Sequence, residues 1–317
     1  MIGGKCSFIF IEITRDFMNC AVIDIGANTI RLSIFAIDKS LPVLLFNKKQ
    51  TAGLANYNDD GYLNKAGIET LISVLEKYKN ILSYYPVDQT FVFATASLRN
   101  VINSSSIIKK VKNELKLKID LLDSQEEANL GFLGISTSFH HLKTGMSVDI
   151  GGGSTEIVLF KDKEIRVVFG IDEGCLSLHK KFCNGVIPEK DEILKMTSYI
   201  EDKTWGFGDS TGEIDTISGI GGTIRSVGKV LKELDLADNK RCYDIVSMNK
   251  LYHMLLEKDS EAYDALLKVV PDRSHTLLCG LVILKRICEL FDIKQVNASS
   301  YGLREGYVIN QLNECDK

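Results

Sequence analysis

The chain has 317 residues, of which 45% are hydrophobic and 25% charged, with 4 prolines and a formal net charge of −4. That length suits two medium-sized domains, and the composition is that of an ordinary globular chain without a disordered tract. An acidic balance gives no general attraction to nucleic acid or to an anionic membrane, so any polyanion has to be held by a local cluster of basic residues.

Residues 1–17 contain one short apolar run, Phe8 to Ile11, interrupted by Glu12, Arg15 and Asp16. The run is too short for a signal peptide or a membrane span. Met18 stands immediately before the first strand, and the expectation is that it is the true start, with residues 1–17 an extension that need not be native. From there an apolar strand enters Asp24-Ile25-Gly26-Ala27-Asn28-Thr29 and leaves as a second strand over residues 30–37, with a third returning over residues 42–47. Alternation of apolar and polar residues makes this an antiparallel meander. The spacing of Ile68, Leu71, Ile72, Leu75 and Tyr78 predicts a helix within residues 61–82. A strand at 90–95, a helix at 104–116, a short strand at 119–122 and a helix opening at Glu126-Glu127 follow.

The second half repeats the design. Ser147-Val148-Asp149-Ile150-Gly151-Gly152-Gly153-Ser154-Thr155 again runs from an apolar strand through Asp-Ile-Gly into small residues and hydroxyls. Strands are expected at 157–160 and 164–170, a helix at 188–201 and a strand at 214–218. The turn Gly219-Ile220-Gly221-Gly222-Thr223 is expected to pack the domain, and a helix over 223–234 follows it. Helices at 249–256, 261–269 and 272–291, a strand at 296–299 and a last helix from Arg304 complete the pattern. Glycine permits tight turns and lets backbone N–H groups approach an anion closely. Two such turns facing each other would grip a phosphate from both sides. The order β-β-β-α-β-α-β, written twice, is an α/β layout.

The eight cysteines include no C-x-x-C pair and read as reduced thiols of a cytoplasmic protein. The five histidines show no zinc spacing, and the adjacent pair His140-His141 has no suitable partner beside it.

Five segments carry a resemblance in chain order. Asp24-Ile25-Gly26-Ala27-Asn28-Thr29-Ile30-Arg31-Leu32 looks like D-x-G-S-N-S-x-R-L, and Phe93-Ala94-Thr95-Ala96-Ser97-Leu98-Arg99 like A-T-S-A-x-R. Leu122-Asp123-Ser124-Gln125-Glu126-Glu127-Ala128 looks like I-S-G-x-E-E-A, Asp149 to Glu156 matches D-I-G-G-G-S-T-E, and Gly302 to Gly306 matches G-L-R-E-G. Together they resemble the exopolyphosphatase and guanosine pentaphosphate phosphohydrolase (Ppx/GppA) family in its short two-domain form. The resemblance implies two actin-like (ASKHA, ribonuclease H-like) domains with an interdomain cleft, residues 18–123 plus 301–317 forming domain I and 124–300 domain II.

It also implies a hydrolase of phosphoric anhydrides that releases terminal orthophosphate from inorganic polyphosphate, or the 5′ γ-phosphate of guanosine pentaphosphate. Those two are the expected partners, without nucleic acid or membrane, and a homodimer is compatible with the reading. On this resemblance Glu126 is the base that handles water, while Glu127 complements the helix dipole. Asp149 and Glu156 resemble a Mg²⁺ site, because hard oxygen ligands suit that ion. Asp24 stands open between a second ion and a structural role. Phosphate contacts are expected from Arg31, Arg99 and the loop positions Gly26, Ala27, Asn28, Thr29, Gly151, Gly152, Gly153, Ser154 and Thr155. Ser124, Ser177 and His275 depart from residues common in the family. A non-catalytic polyphosphate or (p)ppGpp sensor, or an actin-like ATPase or kinase, remains as an alternative.

Overall fold

In the computed structural model, which describes residues 18–38, 41–139, 143–207 and 214–315, the first meander folds as its alternation dictates. The expectations on residues 1–17 and on His140-His141 lie outside the described residues. β1 (Met18–Ile25), β2 (Thr29–Asp38) and β3 (Leu41–Thr51) pair antiparallel. A small hairpin of β4 (Asn58–Asp59) and β5 (Tyr62–Leu63) leads into α1 (Lys65–Leu82). β6 (Gln89–Ala94), α2 (Ala96–Arg99), α3 (Ser104–Leu115), β7 (Asp120–Leu121) and α4 (Ser124–Ser138) follow. The helix predicted within 61–82 begins at Lys65 because the Asn64 side chain accepts a hydrogen bond from Gly67 N–H and caps it.

The second half gives β8 (Gly145–Ile150), β9 (Thr155–Lys161), β10 (Glu164–Ile171), α5 (Cys175–Phe182), α6 (Lys190–Lys203), β11 (Thr216–Ile220) and α7 (Gly221–Glu233). β12 (Cys242–Asp244), α8 (Ile245–Leu256), α9 (Ser260–Val269), α10 (Leu277–Leu290), β13 (Gln295–Ala298) and α11 (Leu303–Cys315) complete it. The sheets run β3-β2-β1-β6-β7 and β10-β9-β8-β11-β13-β12. Each therefore has a meander whose first strand is extended by parallel strands, the doubled arrangement expected of actin-like domains, with β12 as an unanticipated antiparallel edge. α5 was not expected either. The helix predicted over 272–291 starts later, at Leu277, because Pro271–Arg273 forms a separate 3₁₀ turn.

Each sheet buries its own core. Leu71, Leu75 and Tyr78 of α1 pack on Ile23, Ile25 and Leu32, while Ile224, Val227 and Leu231 of α7 pack with Val148, Ile150 and Ile217. Full burial of one such side chain contributes about 1.5–3 kcal/mol. Two further clusters join the halves. α11 sets Tyr307 and Val308 on Val22, Phe35 and Phe93 of the first sheet, and α4 sets Ala128 and Phe132 on Val158 and Phe160 of the second. Among the described residues no helix is long and apolar enough to cross a membrane.

Where α4 and α11 cross, glycine is required by space. A Cβ on Gly306 would lie 1.8 Å from the Leu130 carbonyl oxygen, and one on Gly134 would lie 2.2 Å from that of Gly302. Both obstacles are backbone, which cannot rotate aside. Gly306→Ala should accordingly lower the unfolding free energy by at least about 2 kcal/mol, read as a shift of the urea midpoint. Gly131→Ala, whose Cβ would lie 3.4 Å from Ile220 Cδ1, should be neutral or stabilising by up to about 1 kcal/mol.

Candidate active site

The two Asp-Ile-Gly segments close the same turn. Gly26 N–H donates to Thr29 O at 3.1 Å, and Gly151 N–H donates to Ser154 O at 3.0 Å. Their carbonyls are taken up from behind. Asn28 O accepts from Ala52 and Gly53, Ala27 O from Ala55, Gly151 O from Cys175, and Gly152 O from Leu176 and Ser177. The amides of Ala27, Asn28, Gly152 and Gly153 have no hydrogen-bond acceptor among the described residues, and all four residues line the cleft. Turns whose acceptors face away and whose donors face inward favour an anion. They also meet closely, since a Cβ on Gly153 would lie 3.4 Å from that of Ala27.

Pairing register fixes the charged residues beside the turns. Asp24 sits opposite Arg31 across β1 and β2, and Asp149 sits opposite Glu156 across β8 and β9. Burial raises the Asp24 carboxyl, while Arg304 and Arg31 pull it back. Burial pushes Asp149 up to about 6 against the pull of Arg225. Arg31 is pushed down to about 10 by burial and by the neighbouring Arg304 guanidinium. The cleft, with a volume of about 140 Å³, is lined by four carboxylates, Asp24, Glu127, Asp149 and Glu305, and by four arginines, Arg31, Arg225, Arg273 and Arg304.

Beneath it lies a buried knot of charge. Arg99 Nη1 meets Glu127 Oε2 at 2.7 Å, and its Nη2 lies 3.9 Å from Glu156 Oε1. The guanidinium also donates to Leu122 O at 3.1 Å. Burial pushes Glu127 up to about 7 despite the Arg99 contact, and burial with the nearby Glu127 and Asp149 raises Glu156 well above the carboxylate range. Both Glu156 oxygens lack a hydrogen-bond partner.

Several sequence expectations are corrected by this geometry. Glu126 is exposed: its carboxylate accepts from Asp123 N–H at 2.8 Å, and its own N–H donates to Asp123 Oδ1 at 2.8 Å, so it closes a capping box at the start of α4. Glu127, one residue and about 100° further round the helix, faces the cleft instead. Arg99 is turned away from the cleft and holds Glu127. Glu156 lies under the cleft floor rather than on it. Thr155 is buried, with its hydroxyl donating to Glu173 O at 2.9 Å. Gly26, Ala27, Asn28, Thr29, Arg31, Gly151, Gly152, Gly153, Ser154, Asp24 and Asp149 do line the cleft. So does the glycine turn assigned to packing. Gly221 adopts φ +89, and a Cβ there would lie 2.6 Å from Asp149 Oδ1, so only glycine lets that carboxylate sit against the start of α7. Ser124 leaves the cap of α4 intact, and Ser177 Oγ accepts from Gly174 N–H and donates to Glu173. His275 packs against His179.

Sequence reading did not single out Arg225, Arg273 or Arg304 as cleft residues. Arg304 lies within the Gly302–Gly306 motif, and its Nη1 donates to Ser33 Oγ while its Nε lies 3.8 Å from Asp24. Two further links join the halves of the chain outside the cleft lining. Lys49 of β3 pairs with Asp272. Lys180 of α5 donates to Ala55 O at 3.0 Å and to Asn58 O at 3.1 Å.

The charge knot has a pH signature. Carboxyls whose folded pKa is raised keep protons that the unfolded chain releases, so stability falls as pH rises from the ordinary carboxylate range through about 7. Arg99 restrains both carboxyls, and Arg99→Met leaves them without a cation. Its cost should be about 3 kcal/mol at pH 8 and much smaller at pH 5, measured by denaturant unfolding at both values.

Residues 33–315 match the family model described as the Ppx/GppA phosphatase family. The chain is 26% identical over 286 residues to the bifunctional 3-dehydroquinate synthase/phosphatase of Fusobacterium nucleatum, covering 86% of this chain and 43% of that protein. It is 25% identical to the guanosine-5'-triphosphate,3'-diphosphate pyrophosphatase of Pseudoalteromonas atlantica, covering 94% of this chain and 59% of the relative. It is 22% identical to exopolyphosphatase 1 of Mycobacterium tuberculosis, covering 93% and 89%. The chain thus spans about half the length of the first two. The crystal structure of an exopolyphosphatase from Cytophaga hutchinsonii superposes with a TM-score of 0.82 at 21% identity, covering 94% of this chain and 98% of that one, and so has the same fold. With a family model matched along nearly its whole described length, the chain belongs to the Ppx/GppA phosphatase family.

Proposed function

We propose that the chain hydrolyses terminal phosphoanhydride bonds, releasing orthophosphate from polyphosphate or from guanosine pentaphosphate, with Glu127 as the group that handles water. The observation that carries this reading is Glu127, a carboxyl raised to about 7, in a cleft whose other lining combines the carboxylates of Asp24, Asp149 and Glu305 with unpaired backbone amides and four arginines. A general base works best when its pKa lies near the working pH. Water oxygen bonds to the terminal phosphorus, the bridging P–O bond breaks, and the water proton passes to Glu127. The amides of Ala27, Asn28, Gly152 and Gly153 and the guanidinium groups of Arg31 and Arg273 bind the phosphoryl oxygens. Their charge is present before reaction begins, which is where most acceleration of phosphoryl transfer arises. Arg99 is a positioning residue, acting through Glu127.

Mg²⁺ fits the donors present. Asp149 faces the cleft, and Glu156 has two unpartnered buried oxygens. No three carboxylate, histidine or cysteine side chains converge as a closed cage among the described residues, and Mg²⁺ needs only one or two carboxylates with waters and substrate phosphate. Bound there, it would neutralise charge on the phosphoryl oxygens. A cytoplasmic setting is part of the proposal, supported by the thiols of Cys175, Cys183, Cys242, Cys279 and Cys288, which form no disulfide among the described residues.

Phosphate release should be measured with long polyphosphate, guanosine pentaphosphate and ATP. Glu127→Gln is expected to reduce turnover by about 100-fold or more, whereas Glu126→Ala should keep activity and lose about 1 kcal/mol of stability as the capping box loses its bond to Asp123 N–H. Wild-type kcat/KM should rise with pH through about 7 as Glu127 loses its proton. A fully active Glu127→Gln enzyme would refute the assignment. Chelation should abolish release, added Mg²⁺ should restore it, and the ion should raise the melting temperature of the wild type but not of Asp149→Asn.

A further inference from the structure

Between α5 and the start of α10 lies a cluster of thiols and imidazoles that takes no part in the reaction derived above. Along α5, Cys175, His179 and Cys183 stand four residues apart and so share one face of the helix. His275 and Cys279, at the entry and in the first turn of α10, have the same spacing. The two stripes meet in register. The rings of His179 and His275 lie edge to face with centroids 5.3 Å apart, and four residues further on in both segments the thiols of Cys183 and Cys279 are hydrogen-bonded. Cys279 Sγ is also held by the His275 carbonyl at 3.8 Å. Exposure separates the pair, since Cys183 is half-buried at the end of α5 and Cys279 is fully buried. Both are free thiols, and among the described residues no three metal-ligating side chains converge here.

We propose that Cys183 and Cys279 form a redox modification site, which hydrogen peroxide closes to a disulfide and a thiol reductant reopens. The proposal stands independently of the hydrolase reading. Cys183 reacts first, because the oxidant can reach it, while contact with Cys183 and burial hold the Cys279 thiol well above its ordinary range and so protonated. The Cys183 sulfur attacks one peroxide oxygen, the O–O bond breaks, and one water leaves as the thiol becomes a sulfenic acid. The Cys279 sulfur then displaces the sulfenic hydroxyl, and its proton departs with that hydroxyl as a second water. Two thiols lose two electrons and one peroxide gains them. Cys175 is set apart from this pair, because Arg273 Nη1 contacts its sulfur at 3.6 Å. The bond would join two segments that serve the phosphate site: α5, whose first amides hold the Gly151 and Gly152 carbonyls, and α10, which follows Arg273. It spans 279 − 183 = 96 positions of chain, a length at which a cross-link strongly restrains the unfolded state. Oxidation therefore reinforces the half of the molecule that carries the second turn.

Peptide mapping of the full wild-type chain tests this without any variant. Reduced protein, with its eight cysteines, is treated with hydrogen peroxide, alkylated and digested in the absence of reductant. Mass spectrometry should find the Cys183 and Cys279 peptides joined, lighter than their reduced sum by two hydrogen atoms, and dithiothreitol should separate them. The same treatment should raise the melting temperature by roughly 5 °C, reversibly with dithiothreitol, and should leave that of Cys183→Ser unmoved. Sulfinic acid at Cys183 without a linkage, a bond from either cysteine to Cys175 instead, or a linked protein that melts no higher would overturn the proposal.

Discussion

Everything in the cleft depends on how closely α4 and α11 can cross. Gly134 and Gly306 bring the backbone of each helix against a carbonyl of the other, closer than any side chain allows. The helices belong to different sheets by packing: α11 rests on the first and α4 on the second. Their contact sets the spacing of the sheets and hence of the two glycine turns. It also delivers chemistry, because Glu127 lies in the first turn of α4 and Arg304 in the first turn of α11. Gly306 is thus structural, Glu305 accepts from Gly302 N–H at 2.9 Å to start the helix while also lining the cleft, and Arg304 is the cation which that motif presents to it.

Electrostatic tension is the second theme. Asp24, Glu127, Asp149 and Glu156 crowd together with burial opposing their charge, and arginines offset it only in part. Such an arrangement is costly for the fold and is found where chemistry requires it. An entering cation would relieve the tension from the carboxylate side and an entering phosphate from the arginine side, so the two should favour each other's presence.

Much of this was legible in the residues. The paired Asp-Ile-Gly turns announced themselves because backbone geometry constrains their composition, and the doubled strand order followed from alternation and helical spacing. The choice between Glu126 and Glu127 depended on helical phase, which a bare Glu-Glu pair does not reveal. Asp123-Ser124-Gln125-Glu126 is itself a capping-box pattern, however, and reading it as one would have assigned Glu126 to the cap and left Glu127 for the cleft. Arg99 was read as a phosphate ligand because arginine suits both tasks; only the partner 28 residues on decides between them. Arg273 had no local signal, since it reaches the cleft from a 3₁₀ turn whose position depends on the packing of α9 and α10. The short helix α5 was hidden by its length, although its first amides hold the second turn in place from behind.

The links of Lys49 to Asp272 and of Lys180 to the Ala55 and Asn58 carbonyls join the two halves through solvent-exposed side chains. Contacts of that kind are worth at most about 1 kcal/mol each and weaken with salt. Parting of the halves at these points would therefore cost little, and less as ionic strength rises.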